Sequence, residues 1–264
     1  MGDQSIAEIY SLVAPAFDQV GPRFFSHFGH RLVEWAKIPE GADVLDVATG
    51  RGAILFPAAQ RVGATGRAIG VDLSAGMVRE VAAEAASAGL KQVMICQIDA
   101  RALAFSTASF DYVLCGHAIY YFPGAIDEFH RVLRPGGHVG LTIVARGCLD
   151  WILELLQTYS PEPDSQDENE EQETLNTPGG LEELLSRAEF EEIQIAEQEA
   201  RFTYANEEAW WTTMWAMGCR ATMERMDPAT LDRFRQAIFQ RLQAFRQPGG
   251  IEIPFHVLCA TGAK

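Results

Sequence analysis

The run Val44-Leu45-Asp46-Val47-Ala48-Thr49-Gly50-Arg51-Gly52 leads an apolar, strand-like segment directly into a glycine loop that opens a helical pattern. Glycines at 50 and 52 let a backbone turn sharply and approach a ligand closely, with a helix N-terminus behind it. Alone, such a loop is a common turn. Asp72 makes it specific: it stands about 20 residues beyond the loop, at the end of the strand-like run RAIGVDL, where a carboxylate can accept hydrogen bonds from both ribose hydroxyls. The two features together predict a nucleoside site. A dinucleotide fits less well, because the third glycine of its phosphate-binding pattern falls on Leu55. In addition, no tyrosine has a lysine four residues on, as a short-chain dehydrogenase would need.

In open α/β sheets ligands gather beyond the carboxyl ends of the strands, so Cys115-Gly116-His117-Ala118-Ile119-Tyr120-Tyr121 should face a substrate. His117 is the candidate general base, since a histidine of near-neutral pKa can take a proton from an acceptor oxygen; the plainer reading is that it only shapes the pocket. Tyr10, Phe17, Phe24, Tyr120, Tyr121, Trp211 and Trp215 are candidate pocket walls suited to an apolar or aromatic acceptor, against the alternative that each is ordinary core. The remaining histidines form no i, i+4 pair and the five cysteines no C-x-x-C pair, so neither a metal nor a disulfide framework is expected.

These residues need elements to hold them. Residues 5–37 contain two helix-like segments split by Gly21-Pro22, and residues 1–40 read as an N-terminal helical cover. Over 41–150 short apolar runs alternate with helical patterns: ADVLDVA, 52–62, RAIGVDL, 75–88, QVMICQID, FDYVLCG, 124–134 and HVGLTIV. That alternation predicts βαβ units and a doubly wound, mostly parallel sheet forming the cofactor-binding core. Carboxylates crowd SPEPDSQDENEEQE, so 160–178 is expected to be a flexible acidic loop. A helix, LEELLSRAEF, and two strands, EEIQIAEQEARFTY and IEIPFHVLCATGAK, complete seven strands. The aromatic helical stretch 206–248 between those two strands reads as a cap inserted into a single domain, 1–264.

Thirty-six acidic against twenty-one basic residues give a formal charge of −15, which disfavours nucleic acid and anionic membrane as partners. No stretch approaches the ~20 apolar residues of a membrane span, and the N-terminus lacks the pattern of a secretion signal. With scattered cysteines, this predicts a cytoplasmic protein, a monomer or homodimer, acting on a small molecule.

In order and spacing, residues 44–52, 69–77 (IGVDLSAGM), Asp99-Ala100, 110–122 and Leu133-Arg134-Pro135-Gly136-Gly137 resemble the motifs of class I S-adenosylmethionine-dependent methyltransferases. The likeness spans residues 8–145 and is nearest to the small-molecule group that methylates quinones and polyketide acids in secondary metabolism; residues 146–264 follow that group in layout only. It implies a Rossmann-like fold and S-adenosylmethionine as cofactor, with S-adenosylhomocysteine as product. Asp46, Ala48, Gly50 and Gly52 would surround the methionine moiety, Asp72 the ribose, Leu73, Met77, Asp99 and Ala100 the adenine, and Cys115 the methyl end. Ala48 departs from the family, which more often has glycine there. The implied reaction is methyl transfer to oxygen, hydroxyl or carboxyl, of an aromatic or apolar metabolite. The alternative is a cofactor-binding but non-methylating catalyst, such as a cyclase, or a partner subunit.

Overall fold

The computed structural model describes residues 3–160 and 174–264. Two helices, Asp3–Val13 (α1) and Phe24–Trp35 (α2), precede the sheet. The chain then alternates Asp43–Val47 (β1), Leu55–Val62 (α3), Arg67–Asp72 (β2), Ala75–Ser87 (α4), Val93–Gln97 (β3), Phe110–Gly116 (β4), Ile126–Val132 (α5) and Leu133–Val144 (β5). These five strands pair in parallel in the order β3-β2-β1-β4-β5. Val44, Leu45, Val47, Val113 and Leu114 are all fully buried, as expected of strands covered by helices on both faces. The strand order reverses between β1 and β4, and that reversal opens a crevice at their carboxyl ends.

After β5 come Asp150–Tyr159 (α6), Pro178–Arg187 (α7), the strand Glu191–Tyr204 (β6), then Glu207–Trp215 (α8), Arg220–Glu224 (α9) and Pro228–Leu242 (α10). Side-chain oxygens set where these helices begin. Asn206 accepts from the amide of Ala209 at 2.9 Å, and Asp227 accepts from those of Ala229 at 3.0 Å and Thr230 at 3.1 Å. Arg246–Gln247 (β7) and Gly250–Ala263 (β8) follow. β8 lies antiparallel between β5 and β6: Val257–Ala263 pair with both neighbours, whereas Ile251–His256 pair with β6 and run past the end of β5. The cap expected between the last two long strands is therefore present. It encloses its own aromatic core with α2 and α6, in which Phe28 and Phe234 are fully buried and Trp151, Trp210 and Trp211 nearly so.

The sheet has eight strands where seven are expected. The eighth is β7, two residues that pair with Gly250 and Ile251 across a tight turn and are too short to leave a period-two pattern. β5 also begins earlier, at Leu133, because Pro135-Gly136-Gly137 makes an irregularity within the strand where a turn is expected before it. Of the acidic segment expected over 160–178, residues 161–173 lie outside the described residues. Among the described residues, no helix is long and apolar enough to cross a membrane.

Candidate active site

The crevice is a cleft of about 390 Å³ running from the ends of β1 and β2 to the underside of the cap. At its first end the loop after β1 carries Gly50 at φ 52° and Gly52 at φ 78°, conformations that a side chain resists. Asp72 ties this loop to the next helix: one carboxylate oxygen accepts the Gly50 amide at 2.9 Å and the other the Ser74 amide at 2.8 Å. Burial raises the Asp72 pKa, and each oxygen keeps a further acceptor site for a ligand hydroxyl. Asp46 is buried beneath the loop, accepting the Thr49 hydroxyl at 2.6 Å and the Leu55 amide, and burial pushes its pKa up to about 7. Beyond Asp72, the cleft is walled by Leu73, Met77, Ile98 and Ala100. Asp99 caps the short turn Ala100–Ala102, accepting the Arg101 amide at 2.9 Å, and the Arg101 guanidinium holds its carboxyl below the usual range.

Helix α1 closes over this end. Ser11 Oγ lies 2.8 Å from Ser74 Oγ and accepts the Gly76 amide at 3.2 Å, while the hydroxyls of Tyr10 and Tyr121 meet at 2.9 Å. Phe17 and Phe25 stack at 4.5 Å between centroids.

The second end is apolar. Phe24, Phe25, Leu149, Ile152, Met214 and Phe255 are among its walls. His117 projects into it from the end of β4 with φ 53°, a strained conformation for a residue with a side chain. Its ring sits among Phe24, Phe25 and Phe28, with centroids at 5.0, 5.6 and 6.1 Å, and its amide donates to the Thr142 carbonyl at 2.8 Å. Neither ring nitrogen has a hydrogen-bond partner among the described residues, and burial pushes the pKa down to about 3. The expected near-neutral base is thus a neutral imidazole. The Thr142 hydroxyl and the Trp210 indole N–H are likewise buried without partners. The cations lining the cleft, Arg51 and Arg101, stand at the first end and already pair with Glu84 and Asp99.

Residues 44–137 match a family described as "Methyltransferase domain". The nocamycin O-methyltransferase of Saccharothrix syringae is 30% identical over 270 residues, covering 96% of each chain. This chain belongs to the class I S-adenosylmethionine-dependent methyltransferases. The aklanonic acid methyltransferase of a Streptomyces strain is 33% identical over 142 residues, covering 53% of this methyltransferase and 64% of that chain. In fold, the enzyme is similar to the YcgJ protein of Bacillus, with a TM-score of 0.60 at 19% identity over 90% of this chain and 98% of the other.

In the methyltransferase, Asp46, Ala48, Gly50, Asp72, Leu73, Met77, Asp99 and Ala100 all line the first end of the cleft, and Tyr10, Phe17, Phe24, His117, Tyr120 and Tyr121 also line the cleft. Ala48 adopts φ 55°, which explains why a glycine is commoner there. Four expected residues do not reach the cleft. Gly52 faces inward, where a Cβ would meet the Phe56 ring at 2.6 Å. Cys115 is fully buried in the sheet core. Trp211 packs on Phe234 and Phe239 inside the cap, and Trp215 packs edge-on against Trp211. Trp210, one position earlier on α8, lines the cleft instead. Thr142 was not singled out by its sequence; the only signal was one hydroxyl in the apolar run HVGLTIV.

Proposed function

We propose that this enzyme methylates an acidic oxygen, a carboxylate before a phenol, on an apolar, ring-bearing small molecule. The observation that carries this reading is the state of His117: an imidazole with a pKa near 3 carries no proton at neutral pH and is a poor base for a hydroxyl. An acceptor that arrives ionised needs no base. Its charge needs no lysine or arginine either, because the bound cofactor is itself a sulfonium cation and supplies an electrophilic methyl group.

The chain's own residues bind, orient and exclude water. The first end fits S-adenosylmethionine: Asp72 has acceptor capacity for the ribose hydroxyls, Leu73, Met77 and Ala100 offer an apolar slot for adenine beside Asp99, and the loop at 48–50, braced by Asp46, holds the methionine end. α1 packs over this end, and the Tyr10 and Tyr121 hydroxyls meet beside it. The phenylalanines around His117 would hold an apolar ring at the far end of the cleft, and such positioning would supply much of the rate when the donor is already reactive. The names of two relatives, an O-methyltransferase and a methyltransferase of an acid, agree with an acidic oxygen.

The test is incubation with methyl-deuterated S-adenosylmethionine and a panel of 2-naphthoic acid, 2-naphthol and 2-naphthylamine, read by mass spectrometry, with Asp72→Ala as control. Label is expected on the acid ahead of the naphthol, with S-adenosylhomocysteine formed in equal amount and the signal lost in the control. Label on the amine or on ring carbon would refute the proposal, as would S-adenosylhomocysteine binding with no labelled product.

A further inference from the structure

Thr142 lies near the carboxyl end of β5, paired through its backbone with Gly116 on one side and Cys259 on the other. Its neighbours Leu141 and Ile143 are buried and apolar, and valine would fill the same space with the same branching. The hydroxyl is fully buried and has no hydrogen-bond partner among the described residues. A buried hydroxyl left unpaired weakens a fold, so its partner is to be sought in a ligand.

The local geometry gives it access. Thr142 and Gly116 both line the cleft, and a Cβ built on Gly116 would come within 3.4 Å of the Thr142 hydroxyl oxygen and 2.8 Å of Ile54. Glycine at 116 keeps the space beside that oxygen open and avoids the clash with Ile54. The next residue is His117, whose amide donates to the Thr142 carbonyl at 2.8 Å, so the backbone hydrogen bond fixes the two side chains to the ends of adjacent strands. Both are more than nine-tenths buried, both face the cleft, and both hold polar atoms with no hydrogen-bond partner among the described residues.

We infer that Thr142 is a second acceptor-binding residue, its hydroxyl and the His117 imidazole forming an uncharged two-point grip on the oxygens of an acidic acceptor. The inference rests on the acidic-oxygen reading above. A carboxylate has two oxygens, each with acceptor sites for a donor and a lone pair left for attack. Thr142 offers one O–H and the neutral imidazole one N–H. Neither carries a charge, so the oxygen is oriented without being quenched by a cation.

The test measures the affinity of 2-naphthoate for the S-adenosylhomocysteine-loaded enzyme by calorimetry, for the wild type, Thr142→Val and Thr142→Ser, and in parallel the affinity of each protein for S-adenosylhomocysteine. Loss of one hydrogen bond to a charged oxygen weakens naphthoate by about tenfold or more in Thr142→Val. The serine variant recovers most of that loss, and S-adenosylhomocysteine affinity stays within about twofold, which also shows that the variants are folded. Equal naphthoate affinity in wild type and Thr142→Val overturns the inference. A parallel loss of S-adenosylhomocysteine affinity overturns it too, by assigning Thr142 to the cofactor end. Absence of saturable naphthoate binding to the wild type removes the grip for aromatic acids. Thr142-dependent naphthoate binding with no labelled ester in the transfer assay would leave the grip standing and remove the proposed reaction.

Discussion

Replacing His117 by asparagine, which tolerates the same left-handed backbone, should change how stability depends on pH. In the folded protein the imidazole pKa is pushed to about 3 from its ordinary value of 6.5. The unfolded chain therefore takes up the proton first, and as pH falls from 6.5 towards 3 the histidine costs the folded state progressively more. Linkage across that gap gives a penalty of about 2 kcal/mol at pH 5 relative to pH 7.5. Asp46 acts in the opposite sense: its folded pKa of about 7 lies above the ordinary 3.8, so the folded state binds that proton first and gains stability as pH falls through 7. The two effects are of similar size and offset each other in the wild type, which is why the comparison must be with the variant. Urea unfolding at the two pH values should show His117→Asn gaining about 2 kcal/mol on the wild type at the acid end, or roughly 4–8 °C in Tm. If wild type and variant change in parallel, the imidazole is not desolvated, and the argument that it is neutral and no base falls with it. In the same vein, kcat/KM for an acid acceptor should have no limb near pH 6.5 attributable to His117.

Gly76→Ala places a Cβ 2.6 Å from the Ser11 Cα, forcing α1 off α4; stability should fall by about 1–3 kcal/mol and S-adenosylhomocysteine should leave faster in stopped-flow displacement. Unchanged release would mean that α1 does not cover the cofactor end. Trp211→Ala empties the middle of the cap and should cost about 3–5 kcal/mol in urea unfolding while leaving the affinity for S-adenosylhomocysteine unaltered. A loss of that affinity instead would show that the cap supports the cofactor end.

What the sequence made legible was local. The loop at Gly50 and the carboxylate at Asp72 could be read because the chain between them is one helix and one strand, and that short path fixes their meeting. Helix α8 was harder. Its residues EEAWWTTMW carry aromatics on successive positions, so no apolar stripe sets its rotation, and only contacts with Phe234 and Phe239 turn Trp211 inward and leave Trp210 on the cleft. Thr142 stayed hidden because β5 is buried on both faces and gives no alternation against which a hydroxyl stands out. The desolvation of His117 depends on phenylalanines from α2, about ninety residues earlier in the chain, and no spacing around position 117 reports it.

Past the end of β5 the sheet narrows to a two-stranded ribbon, and Phe202, Tyr204 and Phe255 lie on it with the cap hung from its tip. The cofactor end of the cleft is woven into the parallel strands, whereas the far wall is shared between those strands, at His117 and Thr142, and the ribbon and cap packed on α2 and α6. A substitution in the ribbon or cap would therefore reshape the far chamber while leaving the fastening around Asp72 untouched.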